Sequence, residues 1–495
     1  MKLRKRMRRK TPKVRTGCGT CNLRTDVVAV RRIKCDEGKP CCQRCRCSID
    51  AMSYFRITKL WFIGIRSHIQ CGGYAHLIGI EPLIVDKKSS QALQFFIRHT
   101  QRQFGTFIID DLWQQWIPQV AHAEPCLQDA LGVLSLYHEM YTFRRPMTDG
   151  RQCLLLYNRA IHRVKSAKYD TVLVSLLSCA IFICIEAVRG QHASVIRLLK
   201  CACAILQEGR QATSFHGYAF IEKDRLQSRL AAFFIRMSGQ AAWLFGIKVP
   251  ILCNIAAELK HAFHPYQIGN RNNKFTSLGE ARDALNFIIL GLVDSPNPYE
   301  PYPDHESQSI LDSLKQWWED FTPFRRLLRC HTTHSNHSSG VFLLLLQYHV
   351  LATEVVSWHK NAAFDGSWTN TPPELYRAIF ACAERAIEAA NNNSKYTGIS
   401  IFHTDVGIAP LLSQVLVRSR DPTVRRQCLA IMNRWVSQEG VFNGVAMTTL
   451  ARKLDAMAHE YSFVYVKPGG LAGQLEVTLY TRQRELQNVF LVESY

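Results

Sequence analysis

Long apolar runs are scarce in this chain of 495 residues. Residues 172–185 end at Glu186, and residues 341–346 are soon followed by Gln347 and His349. Because a helix that spans a bilayer needs about 20 apolar residues, both runs predict buried helices, and no membrane partner is expected. The first ten residues are basic and lack an apolar stretch, so the sequence does not predict a secretory signal.

The motifs of several common enzyme classes are also missing. There is no Gly-x-Ser-x-Gly, no Gly-x4-Gly-Lys-Ser/Thr and no His-Glu-x2-His. The triad His331, His334 and His337 lies in a Ser- and Thr-rich stretch, which favours an irregular surface loop over a metal site. His403 and Asp405 are interpreted as core or capping residues rather than a catalytic pair. We therefore predict that the protein is not an enzyme.

Alternation of polar and apolar residues is rare, which limits the predicted β-structure. Residues 463–466 and 475–478 alternate and predict a hairpin. From about residue 91 onward apolar side chains recur every three or four positions instead, for example after Pro125 and after the pair Asp421-Pro422. The sequence therefore predicts an all-α fold for this large region.

Acidic residues are scarce at the N-terminus. Residues 1–78 contain nineteen Lys and Arg against four Asp and Glu, a net charge of +15 out of +21 for the chain. Such a surface is typical of a region that binds a polyanion. Residues 1–16 form a basic arm of the kind that directs nuclear import or contacts phosphates.

Cysteine is concentrated in the same region, which holds eight of the eighteen. Cys18 and Cys21, and again Cys42 and Cys45, have the Cys-x2-Cys spacing at which one turn can direct two thiolates to a single metal ion. The other ten are scattered among apolar neighbours and predict reduced core residues. Cys201 and Cys203, for example, point in different directions on a predicted helix.

This pattern resembles the zinc binuclear cluster of fungal transcription factors, which reads Cys-x2-Cys-x6-Cys, a loop, and Cys-x2-Cys-x6-Cys. Arg31, Arg32 and Lys34 precede Cys35, and Cys35-x6-Cys42 follows with Pro40 in the loop. The resemblance implies two zinc ions per cluster, with the first and fourth cysteines as bridges, because six thiolates fill eight tetrahedral positions only if two are shared. The implied ligands are Cys18, Cys21, Cys35, Cys42, Cys45 and Cys71.

Two stretches depart from the family pattern. Thirteen residues separate Cys21 from Cys35, and twenty-five separate Cys45 from Cys71, where the family commonly has six. Removing residues 23–29 and 47–65 would restore the spacing. We interpret both stretches as translated non-coding segments, and the alternative is a genuine cluster with elongated loops. In either case Cys41 and Cys47 are additional thiols, and Cys47 is an alternative sixth ligand.

The resemblance also assigns DNA contacts. The two basic residues three and four places before the third cysteine, Arg31 and Arg32, would reach guanine edges in CGG-type sites. The remaining implied contacts would hold phosphates, and they are Lys13, Arg15, Lys34 and Arg44.

The large helical region resembles the regulatory domain that follows the cluster in many fungal factors. The similarity lies in a helix after Glu124-Pro125, in the buried run that ends at Glu186, and in a late helix at Asp421-Pro422. The linker before it has no sustained apolar heptad, so a coiled-coil homodimer is not predicted.

The predicted organisation has four parts: the basic arm 1–16, the zinc cluster 17–74, a linker 75–90 and the helical domain 91–495. The predicted function is a nuclear, zinc-dependent transcription regulator of RNA polymerase II genes, with double-stranded DNA and the transcription machinery as partners. The alternative is a helical interaction protein whose cluster is disrupted by the two inserted stretches.

Overall fold

The computed structural model divides the chain into two units, Met1–Val85 and Asp86–Tyr495. The division falls within the predicted linker. The structure describes residues 87–143, 150–165, 171–211, 218–245, 275–293, 304–331, 338–359, 368, 371–393, 400–435, 437–457, 461–471, 473–481 and 485–493. All of them belong to the second unit.

Helices make up most of the described residues, with 78% in helix and 10% in strand, which confirms the all-α prediction. The helices of the first half are α1 Lys87–Phe95, α2 Gln101–Phe104, α3 Ile117–Ala123, α4 Pro125–Phe143, α5 Gly150–Lys165, α6 Thr171–Val188, α7 His192–Gln211 and α8 Tyr218–Phe245. Those of the second half are α9 Leu278–Val293, α10 Asp304–His331, α11 Ser338–His359, α12 Pro373–Asn393, α13 Ile408–Arg418, α14 Pro422–Arg434 and α15 Gly444–Ala456. Two π-helical turns, Phe96–Thr100 and Leu112–Trp116, precede α2 and α3.

The predicted helix boundaries follow from local chemistry. Pro125 and Pro422 each occupy the first position of a helix, where the missing N–H costs nothing. Asp421 caps α14 by accepting a hydrogen bond from the Thr423 N–H at 2.7 Å. The helices predicted after both prolines are therefore confirmed.

The most apolar helices form the centre of the core. Helix α6 is buried along nearly its whole length, as its apolar sequence predicts. It packs against α4 and α7, and α11 packs against α12. Cys179, Cys184 and Cys428 are buried free thiols and Cys201 is exposed while Cys203 is buried, as predicted.

The apolar segment of helix α11 is longer than the sequence analysis predicted. Residues Ser338–Ser357 are long and apolar enough to cross a bilayer, although 72% of the segment is buried inside the helical unit. The length argument from the sequence was therefore wrong, because Gln347 and His349 do not interrupt the helix. The prediction of a buried helix is confirmed.

The described residues also form two three-stranded sheets. Strands β4 Phe463–Pro468 and β5 Gln474–Tyr480 form the predicted hairpin, and β6 Leu486–Glu493 adds a third antiparallel strand that was not predicted. The other sheet was also missed. It consists of β1 Ile401–His403, β2 Ser437–Glu439 and β3 Phe442–Asn443, with β1 parallel to β2. Its strands are too short to show a period of two.

Candidate functional site

The residues predicted to hold zinc or contact DNA lie outside the described ranges. The predicted ligands among them are Cys18, Cys21, Cys35, Cys42, Cys45 and Cys71, and the predicted DNA contacts are Lys13, Arg15, Arg31, Arg32, Lys34 and Arg44. These assignments stay predictions. Among the described residues, no group of three or more His, Cys, Asp or Glu side chains is placed to hold a metal ion.

Several of the buried thiols are poor candidates for metal binding or nucleophilic chemistry. Burial raises the pKa of Cys179 to about 12 and that of Cys382 to about 11. It raises the pKa of Cys184 further, against the opposing charge of Arg236. Because the thiolate is the reactive form, these cysteines act as packing residues.

A cluster of buried charges connects four distant segments of the helical unit. Asp110 precedes the second π-helical turn, Arg236 lies on α8, Arg282 and Asp283 lie on α9, and Asp405 follows β1. Each is no more than 7% exposed. We call this set the buried ion cluster. Charged side chains are almost never fully buried without partners. The contacts within the buried ion cluster therefore determine whether the cost of burying its charges is offset.

The guanidinium groups share the carboxylates. Arg236 Nη2 lies 2.8 Å from Asp110 Oδ2, and Arg282 Nη2 lies 3.1 Å from the same oxygen. Arg282 also reaches Asp283 Oδ1 at 2.9 Å and Asp405 Oδ1 at 3.2 Å. Arg236 also lies within 4.0 Å of all three carboxylates, but Arg282 is the centre of the cluster because it donates a hydrogen bond to each of them.

The charge of the cluster is balanced at its edge. Three carboxylates face two buried guanidinium groups, and the partly exposed Arg229 lies 4.0 Å from Asp283 Oδ2. Burial alone would raise the pKa of Asp110, but Arg282 and Arg236 outweigh it and hold the pKa at about 2. Burial likewise opposes the charge of Arg282, yet Asp283, Asp110 and Asp405 raise its pKa. Asp110 and Arg282 therefore both stay ionised at neutral pH.

Helix α8 also contacts the small sheet formed by β1, β2 and β3. Gln240, one turn after Arg236, donates to the Thr404 carbonyl oxygen at 2.7 Å and accepts from the Val441 N–H at 3.1 Å. Gly440 has a φ of +59° and leaves no room for a side chain beside the Gln240 amide. Gly440 and Val441 thus form the turn between β2 and β3.

Glu439 caps a helix that lacks its own capping side chain. Gly407 precedes α13, and the fully buried carboxylate of Glu439 accepts from the Ala409 N–H at 3.0 Å. It also accepts from Trp435 Nε1 at 2.6 Å and from Ser437 Oγ at 2.7 Å. Burial raises the pKa of Glu439 to about 7, and these donors oppose the rise.

His403 and Glu439 do not form a catalytic pair. His403 is fully buried, its pKa is lowered by burial to about 3, and its Nε2 lies 3.9 Å from Glu439 Oε1. That distance is too long for a hydrogen bond. His403 and Asp405 are both buried in the core, which agrees with their interpretation from the sequence.

Comparison with known proteins gives a distant likeness. The chain is similar to the aspercryptin biosynthesis cluster-specific transcription regulator of Emericella nidulans, with 22% identity over 284 residues. The match covers 48% of this chain and 42% of that protein, so it spans less than half of the relative. No family model matches the chain, and no solved structure matches it. The likeness supports the predicted resemblance to fungal transcription factors and leaves the zinc cluster a prediction.

Sequence reasoning missed the buried ion cluster and the Glu439 cap. A signal for the cluster was present, because Arg236 interrupts the apolar run from Ala231 to Met237 and Arg282-Asp283 stands between apolar helix positions. A charge on an otherwise apolar helix face requires a buried partner. Which partner it finds depends on contacts across as many as 172 positions.

We predict that Arg282→Ala lowers the free energy of unfolding by about 3–5 kcal/mol, because it leaves buried carboxylates without their shared cation. Arg434→Ala is the matched control, since its ion pair with Glu384 is exposed and is worth about 0–1 kcal/mol. Urea unfolding of the two variants measures the difference. Equal losses would contradict a central role for Arg282.

A second prediction concerns the pH dependence of stability. The folded-state pKa of Glu439, about 7, lies above its ordinary value of 4.5. The folded protein therefore binds the proton more tightly, and the resulting stabilisation is complete below pH 4.5 and is lost as the pH rises through 7. Between pH 5 and 7, the stability of wild type relative to that of Glu439→Gln should therefore fall by on the order of 1 kcal/mol per pH unit.

Thermal unfolding across this pH range measures both slopes. His403 is neutral in the folded state of both proteins because burial lowers its pKa to about 3, and it titrates alike in both unfolded chains, so its contribution cancels in the difference. Parallel curves for wild type and Glu439→Gln would show that the donors from Ala409, Trp435 and Ser437 keep Glu439 ionised in the folded state.

Proposed function

We propose that the protein is a nuclear, zinc-dependent, sequence-specific DNA-binding transcription regulator of RNA polymerase II genes. The observation that carries the proposal is the likeness to a cluster-specific transcription regulator. The basic, cysteine-rich N-terminus supplies the further detail of how DNA would be bound. Its partners would be double-stranded DNA and the transcription machinery.

The donor chemistry fits zinc. Cysteine thiolates are the preferred ligands of structural zinc sites, and a module this small needs its metal in order to fold. Cys18 and Cys42 would bridge two zinc ions, and four further cysteines would complete the two tetrahedra. The metal would hold the short segment that carries Arg31 and Arg32 in one conformation.

Base recognition would come from the arginines before Cys35. An arginine that donates to O6 and N7 of guanine makes the commonest base-specific contact in the major groove. Arg31 and Arg32 would make this contact in a CGG-type site. Lys34, Arg44 and the basic arm would bind phosphates, which sets affinity and its salt dependence without reading sequence.

A second candidate function follows from the two stretches that lengthen the cluster. Residues 23–29 and 47–65 separate the implied ligands beyond the family spacing. If they prevent zinc binding, the protein would act through its helical unit alone, as an interaction or regulatory protein. The helical unit has its own extensive core, so its folding does not require the cluster.

We expect two zinc ions per chain in the purified full-length protein, as measured by elemental analysis. Cys42→Ser should lower the zinc content because it removes a bridging ligand. Cys201→Ser is the control, since this exposed cysteine lies in the helical unit and should leave the content unchanged. Absence of zinc from the wild-type chain would favour the second candidate function.

We expect Arg32→Ala to weaken binding to a CGG-containing duplex by about 10- to 100-fold, since a bidentate guanine contact contributes about 1–3 kcal/mol of discrimination. Binding to a scrambled duplex should change little. Fluorescence anisotropy on both duplexes measures the effect, with Arg434→Ala in the helical unit as the control. Equal loss on both duplexes would assign Arg32 to a phosphate instead.

A further inference from the structure

An aromatic cleft of about 510 Å³ opens between the start of α12 and the turn that leads into α14. We call it the aromatic cleft because Trp368, Tyr376 and Phe380 are among its lining residues. Its volume lies within the range of about 300–1,000 Å³ that is typical of small-molecule sites. Trp368 and Phe380 are each only 4% exposed, so they form the inner wall.

The aromatic wall is held in place by polar contacts behind it. The Trp368 indole N–H donates to Glu354 Oε2 at 2.8 Å, and its backbone N–H donates to the Arg418 carbonyl oxygen at 2.9 Å. Arg418 in turn pairs with Glu354 at 2.6 Å. The indole therefore keeps one orientation without help from a ligand, which reduces the entropy that binding would cost.

Hydroxyl groups also line the cleft. The Tyr376 hydroxyl is hydrogen-bonded to Ser419 and Thr371, and burial raises its pKa, so it stays neutral. Thr423 is a further lining residue. A pocket that combines one apolar wall with a few convergent polar groups matches the general pattern of small-molecule sites.

The charged residues at the cleft are mainly cationic. Arg377 and Arg420 line it against a single carboxylate, that of Asp421, which is already occupied in capping α14. Arg420 is positioned by donating to the Tyr461 carbonyl oxygen at 3.0 Å. Arg377 pairs with Glu374, but both side chains are more than 70% exposed, and such a pair exchanges readily for a better partner.

We propose that the aromatic cleft binds a small planar aromatic carboxylate. The ring would pack against Trp368, Tyr376 and Phe380, where aromatic contacts add to the gain from burial. The carboxylate would face Arg377 and Arg420, because guanidinium groups bind carboxylates through paired N–H donors. This inference goes beyond the proposed function and does not depend on zinc or DNA binding.

Ligand binding in the cleft would affect the packing of the helical unit. It is formed by helices that also pack on the core, since α12 contacts α11 and α14, and α14 contacts α13 and α15. A ligand that bridges α12 and the start of α14 would stabilise one arrangement of these helices. In a transcription regulator, such a ligand would be the signal.

The test is isothermal titration of the full-length protein with 2-naphthoate. Its neutral isostere 2-naphthamide and the non-aromatic cyclohexanecarboxylate are the two control ligands. We expect one 2-naphthoate per chain, and at least about tenfold weaker binding of both controls. Weaker binding of the amide tests the cationic side, and weaker binding of the cyclohexane acid tests the aromatic wall.

Three variants locate the binding. Arg377→Gln removes an exposed cation and should weaken 2-naphthoate binding at least about fivefold without changing the amide. Gln427→Trp places a bulky side chain at the exposed rim of the cleft and should abolish binding of all three ligands. Arg434→Gln, on α14 but away from the cleft, should bind as wild type. Circular dichroism and the melting temperature establish that each variant folds.

Several outcomes would overturn the proposal: no binding of 2-naphthoate, equal binding of the amide, or binding that Gln427→Trp does not change. The last would mean an adventitious apolar site elsewhere. Because these titrations use neither DNA nor added zinc, their failure leaves the zinc content and the Arg32→Ala result untouched. A chain without zinc that still binds 2-naphthoate would refute the proposed DNA recognition and retain the cleft.

Discussion

The ion pairs around Arg282 are the constraint on which the helical unit depends. Two guanidinium groups and three carboxylates are removed from water together, and the cost of burying each charge is met only while the others are in place. The charges come from segments that are far apart in the sequence. Asp110 precedes the π-helical turn Leu112–Trp116, whereas Asp405 follows strand β1. The correct register of these segments is therefore enforced by charge as well as by apolar packing.

Helix α8 extends this constraint to the small sheet. Arg236 and Gln240 are four residues apart and so lie on one face of the helix. The first holds the ion cluster, and the second bonds to Thr404 and Val441 on either side of the sheet. Glu439 then caps α13 from β2. Polar contacts between distant segments thus determine where α13 begins, and α13 leads directly to the Ser419–Thr423 turn beside the aromatic cleft.

The chain separates its chemistry by region. The N-terminal 78 residues carry most of the net charge and eight of the eighteen cysteines, whereas the described cysteines of the helical unit are mostly buried, and burial raises the pKa of several of them. If the proposed function is correct, the N-terminus would read DNA while the helical unit would receive signals. The two tasks need different physics: dense exposed charge for the first, and a pre-organised pocket in a large core for the second.

Local sequence determined the elements whose signals are local. The helices after Pro125 and after Asp421-Pro422 and the hairpin of β4 and β5 follow from turn residues and from the period of apolar side chains, and they were predicted correctly. The zinc and DNA assignments rest on the cysteine spacing and on what the family resemblance implies. The small sheet, the partners of Arg236 and Arg282, the Glu439 cap and the aromatic cleft were decided only by tertiary structure. Each joins residues far apart in sequence, and no local pattern specifies which distant side chain will satisfy a buried charge or which two helices will leave a space between them.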